Sequence, residues 1–338
     1  MAGSSSHRPR AFEGEDPAEM ARQSRERHHV ERLQVLRQAL DEKLISRRDA
    51  PSAYFFSMDA LRENIDSLKS AGFPSGDGRA ATHTVAVKAN PLLEVLRACK
   101  SSGVGAEAAS MGELQLALEA GFPRDAIVYD SPTKTRREIA FALAHRVKIN
   151  ADNLDELQVI REEIAMAGLD PGEVSVGLRI NPQVGVGAIA ALSTASDHSK
   201  FGLALSNYSD AIGAAFGAHS WLRRIHVHTG SQGFGLETLV ESVATAVSFA
   251  RDANRRAGAS RVTAIDIGGG LPVHYGKDDP SADPFGTYAS LLGERLAAED
   301  GSAFEFDLIT EFGRSLTAKC SFACSFVEVS RSFTPASP

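Results

Sequence analysis

Lys88 closes the run Thr84-Val85-Ala86-Val87-Lys88, and Asn90-Pro91 follows at once. The run is small and β-branched, which reads as a strand buried on both faces, and Pro91 reads as a helix-start residue opening the next element. An amine at the end of a buried strand is costly unless it is solvated, paired with an acid or used covalently. A lysine can also snorkel its ammonium to the surface, which is the bland alternative. Against it stands the recurrence of polar or glycine-rich motifs at the ends of other strands.

Gly268-Gly269-Gly270 follows the apolar run Thr263–Ile267. Consecutive glycines at such a place either make a tight turn or bring backbone N–H groups close to an anion. Arg314 beside Gly313 adds a fixed cation for a phosphate or carboxylate. Glu311 has two readings: an ion pair with Arg314, or a carboxylate that keeps a proton on a ring nitrogen. In His226-Val227-His228 the alternation points both imidazoles to one face. His228 could be a metal ligand, a general base or a flat ring for stacking; a metal is disfavoured, because the other residues near it are not expected to form a compact His/Cys/carboxylate set. Ser231 can donate to a phosphate. Two nucleotide-binding patterns fail: the spacing from Gly270 to Gly276-Lys277 is not that of a phosphate-binding loop, and the segment after Gly185-Val-Gly187-Ala-Ile-Ala190 makes a poor helix.

These residues need elements to position them, and from His83 on the pattern alternates regularly. Strands are expected at 83–88, 104–108, 126–130, 147–150, 174–181, 223–230, 262–267 and 305–311. Helices are expected at 92–102, 111–121, 134–145, 152–167, 206–217, 236–257 and 285–299. Such a series closes as a (β/α)₈ TIM barrel or lies open as a doubly wound sheet, and eight units over about 230 residues favour the barrel. Lys88, Glu107, Asp130, Asn150, Arg179 with Asn181, His228 with Gly230 and Ser231, Gly268–Gly270, and Glu311 with Gly313 and Arg314 then stand at successive strand ends. In a barrel those ends meet on one rim, where such folds keep their chemistry.

The chain has 338 residues, 43% of them apolar, and a formal net charge of −7, so a nucleic-acid partner is not expected. There is no apolar run near the ~18 residues that span a membrane, hence no membrane partner. The cysteines, Cys99, Cys320 and Cys324, offer neither a disulfide framework nor metal-ligand spacing and suit a reducing compartment. Glu13, Glu15, Asp16 and Glu19 argue against a transit peptide, so a cytoplasmic location is expected. Residues 1–16 read as disordered and 17–50 as an N-terminal helix with Leu33, Leu36, Leu40 and Leu44 on one stripe, which reads first as a packing face and second as a partner-binding one. The barrel is assigned to 51–314 and a further segment to 315–338.

The rim therefore holds one amine, one anion cradle, one carboxylate and one aromatic plate. That inventory matches pyridoxal 5'-phosphate, with Lys88 as the Schiff-base amine, the glycines and Ser231 on the phosphate, Glu311 on the pyridine nitrogen and His228 against the ring. Val87-Lys88-Ala89-Asn90, Ala109–Leu114, Arg179-Ile180-Asn181-Pro182, Ser199-Lys200-Phe201-Gly202, His228–Gln232, Asp266–Gly270 and Glu311-Phe312-Gly313-Arg314 stand in that order. Together they resemble the fold-type III pyridoxal-phosphate decarboxylases, the alanine racemase-like barrels, over roughly residues 50–320. The similarity is greatest to the diaminopimelate decarboxylases.

The resemblance implies a lyase converting meso-2,6-diaminopimelate to L-lysine and CO₂ in lysine biosynthesis, and a homodimer. It implies that Lys88, His228 and Glu311 are catalytic. Lys88, Glu107, His228, Ser231, Gly268, Gly269, Gly270, Glu311, Gly313 and Arg314 would hold the cofactor, and Arg314 would also meet a small amino-acid substrate. The sequence departs from the family pattern at Phe312, where proline is usual. It also departs in the C-terminal β domain, of which at most the start would be present: about two dozen residues follow Arg314, and the last tyrosine is Tyr288. On this reading the chain by itself binds the cofactor but turns over poorly. The alternatives are a non-catalytic paralogue pairing with a longer subunit, an ornithine- or arginine-type decarboxylase, and a racemase.

Overall fold

The computed structural model describes residues 17–185, 199–275, 283–300 and 303–328, with no side chains described for 17–28 and 299–300. The expected disorder of 1–16, the Gly185–Ala190 pattern beyond Gly185, Gly276-Lys277 and the last ten residues lie outside them.

The larger compact unit comprises Phe56–Val273 and Asp283–Ser321, and it contains every candidate site residue. It starts with helix α2 (Met58–Ser70), α1 and β1 belonging to the smaller unit described below. Strand β2 (Thr82–Ala86), α3 (Leu93–Ser101), β3 (Gly105–Ala108), α4 (Met111–Glu119), β4 (Ile127–Tyr129) and α5 (Arg136–Ala144) follow. Next come β5 (Lys148–Ala151), α6 (Leu154–Met166), β6 (Val176–Asn181), the short β7 (Leu203–Ala204) and α7 (Leu205–Ala218). The unit ends with β8 (Leu222–His226), α8 (Leu236–Ala257), β9 (Ala264–Asp266), α9 (Pro284–Asp300), β10 (Asp307–Phe312) and α10 (Arg314–Thr317). Local chemistry sets many of these boundaries. Side chains of Ser57, Ser110 and Asn153 cap α2, α4 and α6, and Thr135 with Glu138 forms a capping box on α5. Gly258, in the left-handed conformation at φ 61°, ends α8.

All strand pairings of the barrel are parallel, in the order β5-β4-β3-β2-β10-β9-β8-β6, and β5 pairs with β6 to close the ring. The expected closed (β/α)₈ barrel is what forms; β7 is an extra strand on β6. Outward-facing aliphatics such as Ile127, Ile149, Leu178 and Ile225 pack under the helices. The inward positions are different: Glu107, Asn150, Arg224, His226, Asp266 and Glu311 are buried polar residues. A buried polar layer of that kind must satisfy itself internally, and it does so only in part.

The smaller unit includes α1 (Pro17–Asp41), β1 (Ser52–Phe56) and β11 (Ser321–Ser325), the two strands forming their own sheet with Phe55 stacked on Phe322 at 5.2 Å. The leucine stripe expected to pack is in the open: Leu33, Leu40 and Leu44 are 39%, 45% and 62% exposed, and Leu36 is half-buried. Within this helix it is Ala39 that is buried, so that expectation is corrected. The stripe fails because a leucine repeat specifies which residues share a face, and not what covers it.

Candidate active site

Lys88 is not on the strand, as the sequence suggested. Strand β2 stops at Ala86, and Val87–Ala89 make one 3₁₀ turn closed by the Asn90 N–H on the Val87 carbonyl at 3.1 Å. Asn90 is extended (φ −157°, ψ 98°), as the residue before a proline prefers, and α3 starts only at Leu93. Pro91 is thus a connector rather than the first residue of a helix. The turn lifts the Lys88 amine over the barrel mouth with its side chain half-exposed, where it donates to Glu107 Oε2.

The register brings the acids to it. Ala86 pairs with Glu107 across β2 and β3, and Thr84 pairs with Glu311 across β2 and β10. Burial opposes the charge on Lys88, but Glu107, Glu311 and Asp130 outweigh it and hold the ammonium above its ordinary pKa. Glu107 is fully buried; burial pushes its carboxyl up, Lys88 pulls it back, and Asp130 pushes it up again. Glu311 is raised well above the usual carboxylate range by burial, then by Asp130 and Glu107. Glu107 Oε1 and Glu311 Oε1 are both buried without a hydrogen-bond partner among the described residues. Asp130 goes the other way: burial raises it, yet His226, Arg179, Lys134 and Lys88 hold it below its ordinary value.

His226 lies among these acids, with Nδ1 3.2 Å from Asp130 Oδ1 and Nε2 3.4 Å from Glu311 Oε2. Burial keeps it below its ordinary pKa, with Asp130 opposing. His228 lies beyond the end of β8, held neutral chiefly by burial and also by Arg179 and Lys88. Its Nδ1 accepts the Gly269 N–H at 3.2 Å, which places any proton on Nε2. The alternation did bring the two imidazoles together. It also brings them to an acid: ligand-capable atoms of His226, His228 and Glu311 lie within 4.8 Å of one another. A compact His/carboxylate set therefore does form, against expectation, because the barrel brings Glu311 to a pair of histidines more than eighty positions earlier in the chain.

Under the acids sits a network that no motif announced. Asn150 Nδ2 donates to Asp266 Oδ2 at 3.2 Å, and Gly268 N–H donates to Asp266 Oδ1 at 3.1 Å. Arg224, fully buried, donates to Asn150 Oδ1, Ser175 Oγ and the Ile149 carbonyl. Asp266 is pushed up to about 7, by burial first and Glu311 second, against His226 and Arg224. Asn150 was expected at the rim and Asp266 stands in one of the ordered motifs, whereas Arg224 was missed because it looks like an ordinary strand position until the barrel closes across it. Arg179 and Phe201, from two of the ordered motifs, meet in a cation–π contact at 4.9 Å.

The glycines have a packing reason. A Cβ on Gly268 would lie 2.5 Å from the Val227 carbonyl, on Gly269 2.4 Å from that of Glu311, and on Gly270 2.2 Å from that of Gly230. Gly268 and Gly269 also spend their N–H groups inside the protein. Gly313 lets β10 nest on the Lys88 turn, since its Cβ would be 2.9 Å from those of Ala86 and Ala89. Arg314 and Ser231 do come together, with Arg314 Nη2 donating to Ser231 Oγ at 3.3 Å. Of the residues expected to hold an anion, Ser231 and Arg314 are thus the pair that the fold brings into contact. At the opposite end of the barrel a cavity of about 560 Å³ is lined by Lys69, Lys100 and His83 with Phe73 and Val104. Its lysines stand in the last turns of α2 and α3, where cations suit the helix dipole, and Lys69 already caps the Ser102 carbonyl.

A closed parallel barrel with an amine at its C-terminal rim, an Arg–Ser pair beside it and two half-satisfied buried carboxylates is a cofactor-binding α/β barrel. The chain belongs to the pyridoxal-dependent decarboxylases: the family described as "Pyridoxal-dependent decarboxylase, pyridoxal binding domain" matches residues 75–318. It is 31% identical over 274 residues to the diaminopimelate decarboxylase of Archaeoglobus fulgidus, covering 80% of this chain and 62% of that protein. It is 28% identical to the L-glutamyl-[BtrI acyl-carrier protein] decarboxylase of Niallia circulans, covering 81% of this chain and 62% of the relative. The crystal structure of Helicobacter pylori diaminopimelate decarboxylase complexed with L-lysine superposes with a TM-score of 0.68 at 25% identity, covering 81% of this chain and 66% of that one. The chain thus spans about three fifths of the length of these curated relatives.

The family's cofactor is pyridoxal phosphate, and the residues present fit it. Two buried acceptor atoms inside the barrel, Glu107 Oε1 and Glu311 Oε1, lack partners among the described residues. An orphaned buried carboxylate oxygen is costly, and a ring N–H or a polar ring substituent would satisfy it.

Proposed function

We propose that this chain carries the barrel site of a pyridoxal-phosphate-dependent amino-acid decarboxylase, with meso-2,6-diaminopimelate as substrate and L-lysine and CO₂ as products. The observation that carries this reading is the pairing of the rim amine of Lys88 with one buried acid while a second, Glu311 on the adjacent strand β10, has an oxygen without a partner among the described residues. When bound, the group supplies an electron sink for the bond that breaks at the substrate α-carbon.

The chain's own residues prepare that site. Lys88 supplies the amine that links to an aldehyde, and Glu107 orients it and can take its proton, which frees the nitrogen lone pair for attack. Glu311 would face the ring nitrogen and accept its N–H at Oε1. His228, neutral and anchored on the Gly269 N–H, offers a flat uncharged face for stacking. Gly270, Ser231, Gly313 and Arg314 bind the phosphate, and Arg314 can also meet a substrate carboxylate. The choice of diaminopimelate rests on relatives that bear that name, while the Niallia relative is named for a different substrate. The homodimer belongs to the same proposal and is checked by sedimentation.

Borohydride reduction after soaking with pyridoxal phosphate, followed by peptide mapping, tests the core of this reading. The label is expected on Lys88 alone, and Lys88→Ala is expected to leave the protein colourless. A label elsewhere, or none, overturns it. Release of CO₂ and L-lysine from meso-2,6-diaminopimelate tests the substrate, with L-ornithine and L-arginine as comparisons.

A further inference from the structure

His226 is buried, no motif assigns it a role, and its two nitrogens approach two different carboxylates. The Asp130 contact (3.2 Å) and the Glu311 contact (3.4 Å) both fall short of aligned hydrogen bonds, leaving each nitrogen unsatisfied among the described residues. Every neighbouring strand puts a charge or a titratable group toward this ring: Glu107 from β3, Asp130 from β4, Arg179 from β6, Asp266 from β9 and Glu311 from β10. His228 lies beside it from the same segment. Four of those six are acids, so the ring sits where a second positive charge is favoured as soon as one more acid ionises.

Resting on the reading above, we propose that His226 is a positioning residue which takes the Glu311 proton when a protonated ring nitrogen meets Glu311. Before that event Asp130 is ionised, His226 is neutral with its proton on Nδ1 toward Asp130, and Glu311 is protonated on Oε2 toward Nε2. In the step, the Oε2–H bond of Glu311 breaks and the Nε2–H bond of His226 forms. Glu311 keeps the electron pair as a carboxylate, and its Oε1 accepts the ring N–H. The ring nitrogen brings its own proton, so none is exchanged with solvent. The result is an imidazolium clamped between two carboxylates, the arrangement in which a buried charge is best compensated. A histidine is needed because only an imidazole can donate at one nitrogen and accept at the other.

The test compares binding of pyridoxal phosphate with that of its 1-deaza analogue, in which CH replaces the ring nitrogen while aldehyde and phosphate remain. Wild type is expected to prefer pyridoxal phosphate by at least about tenfold, the equivalent of one pKa unit. In His226→Gln and in Asp130→Asn that ratio should fall below about threefold while the analogue still binds. An undiminished ratio in a folded His226→Gln protein overturns the proposal and leaves the cofactor reading intact. If wild type binds neither compound, the cofactor reading itself falls and takes this proposal with it. ¹⁵N spectra of histidine-labelled wild type need no variant: the His226 signals should become those of an imidazolium with pyridoxal phosphate and stay neutral with the analogue. A ring that remains neutral with both refutes the relay.

Discussion

Asp266 gives the sharpest handle on the acid layer. It has no access to solvent, and its carboxyl is pushed from 3.8 up to about 7, first by burial and then by Glu311. Below the lower value both folded and unfolded chains hold the proton, and above the upper one neither does. Between them the folded chain holds it and the unfolded chain has lost it. Stability must therefore fall as pH rises through that window, by about 1.4 kcal/mol per pH unit and up to about 4 kcal/mol in all. Asp266→Asn removes the titration. At the acid end the variant should be less stable by about 1–3 kcal/mol, because its amide N–H₂ would face the Asn150 N–H₂ that now donates to Oδ2. Raising the pH should close and then reverse that gap, moving the variant up relative to wild type by about 2–4 kcal/mol between about pH 4.5 and pH 8. Urea unfolding midpoints for both proteins across that range measure it directly. A gap constant to within about 0.5 kcal/mol would show that Asp266 is ionised throughout in the folded protein, and the account of a proton-holding barrel would be wrong.

Two further substitutions test neighbouring parts. Arg224→Met strips three hydrogen bonds from a fully buried guanidinium's partners, leaving Asn150 Oδ1 and the Ile149 carbonyl bare. It should destabilise by about 3–5 kcal/mol, read as a large drop in melting temperature, and a change below about 1 kcal/mol would mean the network is hydrated. Gly270→Ala puts a Cβ 2.2 Å from the Gly230 carbonyl at φ 96°, whereas Gly168→Ala meets nothing within 4 Å at φ 61°. The first should lose about 2–4 kcal/mol and the second about 1 kcal/mol, measured by urea midpoint; equal losses would mean that only the dihedral matters at these positions.

The alternation of strand and helix was legible because the buried strands are short runs, several of them β-branched as in Thr82–Ala86, between helix-forming stretches, and the barrel strands fall within a few residues of their expected positions. The convergence of Lys88, Glu107, Asp130, His228 and Glu311 followed from one topological rule, that all parallel strand ends share a rim. What stayed hidden was depth. Lys88 was placed on a strand because nothing in Val-Lys-Ala distinguishes extended chain from a 3₁₀ turn, whose closing bond runs between the Asn90 N–H and the Val87 carbonyl and involves backbone alone. The network that joins Asp266 and Asn150 to Arg224 was unreadable for a different reason. Asn150 and Asp266 are 116 positions apart, Asn150 and Arg224 74, and only barrel closure makes them neighbours.

The same contrast bears on the three glycines. A glycine triplet after a strand invites the idea of a phosphate cradle, yet each missing Cβ is already accounted for by a neighbouring carbonyl within 2.5 Å. Packing is therefore sufficient to require them, and the cradle is something the resulting turn makes available. It follows that phosphate affinity and fold stability are coupled at Gly268–Gly270 and separable at Ser231, whose half-buried hydroxyl accepts from Arg314 at the rim. Ser231→Ala should weaken anion binding with little change in unfolding midpoint, whereas no substitution in the triplet can do the first without the second.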